Sequence, residues 1–150
     1  MTATVQTHGA AYVIGAAIVQ ALRDAPSLAG AKVMDNPERA TDLADGGRVI
    51  FVEDQLDRPR DGAPQPVQRT YQFAIGVIRR GGQARADAHA DWRAVRALLR
   101  TTCMPAITRA GVRIDGLGLR EGEVRFRLEN IDVGGSLVLG LFTLDYRDQG

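Results

Sequence analysis

The sequence has few of the residues that usually carry redox chemistry, proton transfer or membrane insertion. Its 150 residues include one cysteine, two histidines and only 5% aromatic residues. One cysteine cannot form a disulfide within the chain, which fits a reducing cytoplasm. No apolar run reaches the roughly 18 residues of a transmembrane helix, and the first residues lack the basic start and apolar stretch of a signal peptide. These absences predict a globular protein of a reducing compartment with no membrane span.

An excess of one charge sign is also missing. The chain has 19 basic and 18 acidic residues, so its net charge is +1. No broad basic field is available to bind nucleic acid by counterion release, and we expect no direct sequence-specific nucleic-acid binding. Lys32 is the only lysine, and every other basic residue is arginine. Arginine is enriched at protein interfaces, although codon usage in a GC-rich genome explains the same bias more simply.

The apolar pattern predicts a single α+β domain over residues 1–150, with a frayed terminus at residues 1–9. Helices are predicted at Ala10–Asp24, from Asn36-Pro37 to about Leu43, and at Asp87–Thr102. Strands are predicted at Lys32–Asp35, Arg48–Glu53, Arg69–Arg79, Val112–Leu119, Glu123–Glu129 and Ser136–Arg147. Because strands dominate the second half, we expect a mixed or mostly antiparallel sheet with two main helices packed on one face.

The best-defined elements show the period of their type. Ile14, Ile18 and Leu22 recur at helical spacing. Between Arg69 and Arg79, large apolar residues alternate with polar or small ones, as in a strand with one buried face. Three aromatic residues of these segments and of the Asp87–Thr102 helix are predicted to lie in the core: Tyr71, Phe73 and Trp92.

The side chains that could carry chemistry are scattered along the chain. His8 and His89 have no further ligand at a metal-like spacing. Cys103 follows a helix C-terminus, where the dipole disfavours a thiolate, so burial as a small apolar residue is expected. Gly116-Leu117-Gly118 leads to Gly122, which is one residue too far for a dinucleotide fingerprint, and a strand follows instead of a helix.

An acidic segment also fails as a metal site. Asp54, Asp57 and Asp61 lack the closing glutamate and the spacing of a calcium loop. We therefore predict no catalytic residue, no metal and no cofactor, and the chain is not expected to be an enzyme.

The remaining features favour assembly. Gln55–Gln68 is predicted to be an ionic loop restrained by three prolines, and Arg79–Asp87 a second loop. An exposed arginine row is predicted on the Asp87–Thr102 helix; such rows are usually only solvated, but in a ring they can meet a neighbour's carboxylates. The candidate interface residues are Arg58, Arg60, Asp57, Asp61, Arg79, Arg80, Arg93, Arg96 and Arg100. Replacing Arg58 and Arg60 with alanine is expected to weaken assembly while leaving the melting temperature of the monomer nearly unchanged.

The order and lengths of several segments resemble a known family. These segments are Ala10–Asp24, Val33–Pro37, Val49–Asp54, Arg69–Val77, Asp91-Trp92, Thr102–Pro105 and Phe142–Tyr146. Together they cover most of the chain and resemble the tail terminator family of long-tailed, siphophage-like bacteriophages. The likeness is one of layout, without an invariant short motif.

The resemblance implies a homohexameric ring that caps the phage tail tube, ends tube polymerisation and offers a surface for head attachment. Its partners would be copies of itself, the tail tube protein and a head-completion or connector protein. Its place would be the head-proximal end of the virion tail, after assembly in the host cytoplasm. No catalytic residue carries over from the family.

Two other interpretations stay open. The chain could be a head-tail connector or a tail tube subunit of the same particle, which would differ in whether rings or long tubes form. It could also be a small α+β ligand-binding or enzymatic domain, for which Asp54, Arg69 and His89 are the scattered candidates.

Overall fold

The computed structural model describes residues 4–37, 47–62, 67–128 and 135–148. The helices are Val5–His8 (α1), Ala10–Asp24 (α2), Ala84–Leu98 (α3) and Met104–Arg109 (α4). The strands are Lys32–Asp35 (β1), Arg48–Pro59 (β2), Gln68–Arg80 (β3), Arg113–Leu128 (β4) and Gly135–Arg147 (β5). The sheet has the order β1-β2-β3-β5-β4, with β1 parallel to β2 and every other pair antiparallel. The α+β class and the mixed, mostly antiparallel sheet predicted from the sequence are confirmed.

The main core lies between one face of the sheet and the helices. Ile14, Ile18 and Leu22 of α2 are fully buried, and the helix has the predicted bounds. The predicted core aromatics Tyr71, Phe73 and Trp92 are also buried in this cluster, which confirms their assignment. Each such side chain contributes about 1.5–3 kcal/mol when buried, so the shared face of α2, α3 and the sheet stabilises the domain.

Two glycines in the central strands make room for large aromatic rings. A Cβ atom on Gly140 would lie 2.0 Å from Cη2 of Trp92, and one on Gly76 would lie 2.1 Å from the ring of Phe51. Trp92 packs on the helix-covered face and Phe51 on the opposite face. On each face of the sheet, a glycine therefore leaves the space that a large aromatic ring occupies.

A smaller apolar cluster lies on the face of the sheet opposite the helices. Val49, Phe51 and Ile78 are buried there, with Leu137 and Leu139 packed against them. The next residues along β2, including Ile50 and Val52, point into the main core instead. The apolar run in β2 is thus buried on both faces, as a continuous apolar strand predicts.

The predicted loop from Gln55 to Gln68 is wrong at both of its ends, which belong to strands. The structure continues β2 to Pro59 and begins β3 at Gln68. We call the part of this hairpin that extends beyond β1, residues 54–62 and 67–72, the arm. Backbone pairing extends to the level of Pro59 and Arg69, and Arg60 N donates to Gln68 O at 2.8 Å. β1 ends far below this level, so β2 is here an edge strand and tolerates Pro59. Residues 63–66 lie outside the described part.

The helical region after β3 also differs from the prediction. α3 begins at Ala84, three residues earlier than expected, and helical structure does not end at Pro105. A π-helical turn at Leu99–Cys103 joins α3 to α4 and shifts the hydrogen-bond pattern just before the proline. Pro105 then lies in the first turn of α4, where its missing N–H needs no partner.

β4 is one strand of 16 residues, whereas two strands were predicted. Its register with β5 is irregular between Ile114 and Leu119 and between Glu121 and Val124. Gly116 and Gly118 have positive φ angles of 52° and 66°, so they bend the strand instead of ending it.

Two further predictions concern the first third of the chain. Val5–His8 form one helical turn, although residues 1–9 were expected to be frayed. The predicted helix from Asn36-Pro37 to about Leu43 lies outside the described residues from position 38 onward. Asn36 itself has a φ of 47° and accepts a 2.6 Å hydrogen bond from Asp54 N, which links the end of β1 to β2.

Candidate assembly surfaces

A buried aspartate holds two arginines at the end of the sheet where β2 begins and β3 ends. Asp91 of α3 is 5% exposed. It accepts hydrogen bonds from Arg48 Nε and Nη2 at 3.0 and 2.9 Å and from Arg79 Nε at 2.7 Å. Arg48 also donates to the carbonyl oxygens of Ala29 and Ser27 at 2.8 and 3.1 Å. The charge of Arg79, a predicted interface residue, is thus compensated within its own subunit.

A second buried aspartate lies on β5, beside the outer part of the arm. Asp145 of β5 is 2% exposed and accepts hydrogen bonds from Thr70 Oγ1 and Arg120 Nη2, both at 2.8 Å. Leu117 N donates to its other oxygen at 3.1 Å, and Arg60 Nε lies 3.8 Å from that oxygen. Arg60 is therefore part of an internal ion cluster, although the sequence placed it in an exposed loop.

Close contacts explain this geometry around Asp145. A Cβ atom on Gly116 would lie 2.6 Å from Asp145 Oδ2 and 2.9 Å from Arg60. The glycine allows β4 to approach the carboxylate closely. Arg60 also lies 3.5 Å from Asp115 through Nη2 and Oδ2, and its Nη2 donates to Tyr146 O at 3.3 Å. The arm is consequently tied to β4 and β5 by a network that no local sequence pattern indicates.

Two buried tyrosines join the arm to the core. The Tyr71 hydroxyl donates a short hydrogen bond to Asp54, and the Tyr146 hydroxyl donates to Asp57 Oδ1 at 2.9 Å. Burial, followed by these carboxylates, raises the pKa of both Tyr71 and Tyr146 well above the ordinary value of 10.0. Asp57 also pairs with Arg69 at 3.2 Å. The arm is held in place because its acidic side chains form hydrogen bonds and ion pairs with neighbouring strands.

The outer part of the arm is open to solvent. Arg58 and Asp61 pair with each other at 2.6 Å, and their side chains are 44% and 86% exposed. Leu56 is 48% exposed, which is unusual for a large apolar side chain on a strand. Arg58, Asp57 and Asp61 all lie on the arm, and their role as interface residues stays a prediction.

The arginine row on the helical segment is exposed, as predicted from spacing. Arg93 and Arg96 of α3 and Arg100 of the π turn face solvent beside β4. Arg96 Nη2 pairs with Glu121 Oε2 at 3.0 Å. Because α3 begins at Ala84, the same helical face continues from Arg93 back to His89 and Arg85. The sequence did not indicate that Arg85 belongs to the row, since the helix was predicted to begin only at Asp87. Whether the row contacts a neighbour stays a prediction.

An exposed aromatic ring lies beside the row. Phe126 of β4 is 58% exposed and stacks on the His89 ring, with centroids 4.9 Å apart. A cleft of about 410 Å³ next to this pair is bordered by Arg85, Arg127 and the Gly81-Gly82 turn. Large, exposed aromatic residues next to arginines are common at protein interfaces.

Arg80, the last candidate interface residue, lies at the end of the sheet next to Arg79. It ends β3, is partly buried, and its N–H donates to Gly47 O at 3.1 Å. The nine candidates therefore do not form one surface: Arg79 and Arg80 lie at one end of the sheet, the arm residues at the other end, and the arginine row beside β4.

The residues considered for chemistry lie apart. The His8 ring packs against the Tyr12 ring, with centroids 4.7 Å apart. His89 belongs to another helix, α3. Cys103 is buried, and burial raises the pKa of its thiol to about 12. In the described part of the chain, no three His, Cys, Asp or Glu residues form a possible metal site. Within the same residues, no helix is both long and apolar enough to span a membrane.

A groove of about 700 Å³ runs between α2 and the helical segment from Leu98 to Ala110. Its walls are mainly alanine, with Tyr12 half exposed and Gln20, Asp24 and Arg109 among the polar members. The groove is open and its polar groups come from several turns, so it has the shape of a surface depression.

This chain is similar to known proteins in its fold, whereas the comparisons of its sequence found no match. No protein-family model and no curated protein sequence matches it. A chain of the solved structure described as "Virion of native gene transfer agent (GTA) particle" has a similar fold, with a TM-score of 0.55 and 19% sequence identity. The match covers 94% of this chain and 99% of that chain, so the two share their architecture over almost their whole lengths.

Proposed function

We propose that this chain is a structural subunit of a phage-like virion, and that it forms a ring capping the head-proximal end of the tail tube. The observation that carries this proposal is the fold shared over 94% of this chain with a chain of a gene transfer agent virion. The layout of the sequence independently resembles the tail terminators of long-tailed phages. Both likenesses lead to a protein that works by assembling into a particle.

The proposed mechanism is steric and cooperative. One face of the ring binds the last ring of the tail tube, and the other face cannot recruit another tube subunit but is available to head-completion proteins. Contacts repeated around a closed ring add up, so each subunit needs only a modest interface. All of these contacts between subunits are non-covalent. The separate positions of the two histidines and the raised pKa of the buried Cys103 thiol agree with this mechanism.

The arm is the feature best suited to contact a neighbouring particle component. Asp57 is bonded to Arg69 and Tyr146, and Arg60 to the Asp145 cluster, so the arm is held before any partner binds. A preorganised surface segment loses little conformational entropy on docking. Leu56 supplies an exposed apolar contact at its side.

Two alternatives predict different assemblies. A tail tube subunit would polymerise into long tubes, and a head-tail connector would bind the head side without stopping tube growth. A small ligand-binding or enzymatic domain would use a pocket such as the groove between α2 and the Leu98–Ala110 segment, but the polar groups of this groove do not converge.

The test combines the mass of the purified protein with negative-stain microscopy and a tube-growth assay. We expect closed single rings, and we expect these rings to shorten tubes when added to polymerising tail tube protein. The double variant Leu56→Ser/Arg58→Ser should form rings or cap tubes poorly, while Arg109→Ser, an exposed control on α4, should behave as the unchanged protein. Long tubes from the protein alone would identify a tube subunit, and a monomer at every concentration would contradict the proposal.

A further inference from the structure

The two edges of the sheet carry opposite charges. On the β1–β2 edge, Asp35, Glu53 and Asp54 are all exposed. Among the described residues, these carboxylates accept hydrogen bonds only from neutral groups: Asn36 Nδ2 for Asp35 at 2.8 Å, Gln55 Nε2 for Glu53 at 3.1 Å, and the Tyr71 hydroxyl for Asp54. We call these three residues the acidic flank. Lys32 at the start of β1 and Arg23, which donates to Val33 O at 3.0 Å, offset part of this negative charge, and neither forms an ion pair with the flank among the described residues.

The opposite edge is β4, with the exposed side of α3 beside it. Arg85, Arg93 and Arg100 are exposed there, and within the described chain none of them forms an ion pair with a carboxylate. We call these three residues the basic flank. Arg96 lies in the same row, but it is already paired with Glu121. Spacings of eight and seven residues place the three arginines on one helical face over about 22 Å.

The two flanks cannot compensate each other within one subunit. Four strand spacings separate β1 from β4, which is about 19 Å at the usual distance between strands. This exceeds the Debye length of about 8 Å at physiological ionic strength, so the fields of the two flanks are largely screened from each other. Each subunit therefore presents unpaired charges of both signs, on opposite sides.

Each flank also has an exposed apolar residue close to its charges. Phe126, stacked on His89, lies next to the basic flank, and Leu56 follows the acidic flank along β2. Interfaces commonly combine an apolar contact that excludes water with charges that set orientation. The same two ingredients are present on both sides of this domain.

We infer that the basic flank of one subunit contacts the acidic flank of the next, and that this head-to-tail contact closes the ring. The inference rests on the proposed ring and assigns its lateral interface. A contact between two different sides of one molecule can generate a ring, because every copy offers both halves and no side is left over. Phe126 would pack near Leu56 of the neighbouring subunit at the edge of this contact.

Binding of the basic flank to a nucleic acid is the competing use of three free arginines. A phosphate-binding surface needs no acidic counterpart, whereas this chain carries three unpaired carboxylates opposite three unpaired arginines within its described residues. A net charge of +1 also gives little general attraction to nucleic acid. The observations therefore favour a second copy of this chain as the partner.

The test uses two double variants that reverse one flank each. Arg93→Glu/Arg100→Glu makes both flanks acidic, and Asp35→Lys/Glu53→Lys makes both flanks basic. Asp54 is left unchanged because it holds the Tyr71 hydroxyl. Arg109→Glu, on α4, is the control for charge reversal outside the flanks. The mass of each protein is measured over a range of concentrations and salt, with circular dichroism to verify folding.

We expect each reversed variant alone to need at least about 10-fold more protein to form rings, because like charges then meet at every contact. An equimolar mixture of the two variants should form rings at the original concentration, since each reversed flank finds its complement on the other variant. Those rings should contain the two variants in equal numbers. Higher salt should weaken rings of the unchanged protein.

Several outcomes would overturn the inference while leaving the proposed ring intact. Normal rings from both reversed variants would exclude this contact, and so would two folded variants that fail to assemble even when mixed. Normal rings together with lost retention of duplex DNA by Arg93→Glu/Arg100→Glu would assign the basic flank to nucleic acid. If the unchanged protein forms no ring, the proposed function itself fails first.

Discussion

Two groups of arginines in this chain have opposite surroundings. Arg48 and Arg79 converge on buried Asp91, and Arg60 and Arg120 on buried Asp145, within the domain. The arginines of the basic flank face solvent and have no carboxylate partner among the described residues. The same residue type therefore stabilises the fold in one place and is available for a partner in another.

The difference follows from where a buried aspartate is available. An aspartate removed from water requires compensation, so nearby arginines are drawn into its contacts. The exposed face of α3 offers no such acid to Arg85, Arg93 or Arg100 in the described chain. We therefore predict that the arginines around Asp91 and Asp145 contribute to stability and that the arginines of the basic flank contribute to assembly.

The largest effect is expected at Asp91. Replacing Asp91 with alanine leaves the guanidinium groups of Arg48 and Arg79 without their carboxylate. We expect a loss of roughly 3 kcal/mol in the free energy of unfolding, the lower end for breaking a buried pair, because both arginines keep some access to water. Denaturant unfolding measures this change, with Asp87→Ala on the first turn of the same helix as the control. Equal, small effects of both variants would contradict the comparison.

A second effect concerns pH and the arm tyrosines. The pKa of Tyr71 and of Tyr146 is raised in the folded state by burial and by neighbouring carboxylates. The folded state therefore keeps these protons while the unfolded state loses them, and stability is fully present below pH 10 and falls as the pH rises above it. The decline should be about 1.4 kcal/mol per tyrosine and per pH unit. Tyr71→Phe and Tyr146→Phe should flatten the decline; an unchanged slope would exclude this linkage.

A third effect separates two arginines that are two positions apart. Arg60→Ala removes contacts to Asp145 and Asp115 and should cost about 1–3 kcal/mol of stability. Arg58→Ala removes an exposed pair with Asp61 and should cost less than about 0.5 kcal/mol. The sequence led us to expect a nearly unchanged melting temperature after replacement of both arginines. With the structure, we expect this for Arg58 alone. Thermal unfolding of the two single variants decides this point, and equal melting temperatures would refute the distinction.

The smallest effect on stability is expected in the basic flank. The neutral variant Arg93→Ala/Arg100→Ala should change the free energy of unfolding by no more than about 0.5 kcal/mol, because neither arginine has an ion pair in the described chain. It should nevertheless reduce ring formation at physiological salt. Unfolding and sedimentation of the same sample test both statements, and a marked loss of stability would show that the row serves the fold.

Local patterns in the sequence were sufficient for the elements with one buried face. α2 has the predicted bounds. The strand predicted at Arg69–Arg79 is one residue longer at each end, and the strand predicted at Ser136–Arg147 begins one residue earlier. Helical and alternating periods reflect burial directly, so these segments are readable from residue types alone.

The missed features depend on contacts between segments distant in sequence. The outer part of β2 has Leu56 as its one large apolar residue and contains Pro59, so no period indicates a strand, and only pairing with β3 makes it one. The π turn allows the helix to pass Pro105, which ordinarily ends a helical pattern. Arg60 was assigned to a solvated loop because its partner Asp145 is 85 positions later in the chain.

The same limit applies to the candidate surfaces. The exposure of the arginine row could be predicted from its spacing, but its extension to Arg85 depended on the true start of α3. The acidic flank combines Asp35 with Glu53 and Asp54, which adjoin because β1 is parallel to β2. Opposite edges of a sheet can be recognised only when the strand order is known.

Self-assembly into a closed ring is the property on which the proposed function depends most. Its most direct test is the mass of the purified protein in solution, measured by native mass spectrometry at low and physiological salt. A single discrete oligomer, with six subunits as the number implied by the tail terminator likeness, is the predicted result. A monomer at all concentrations, or an open series of ever larger species, would contradict it.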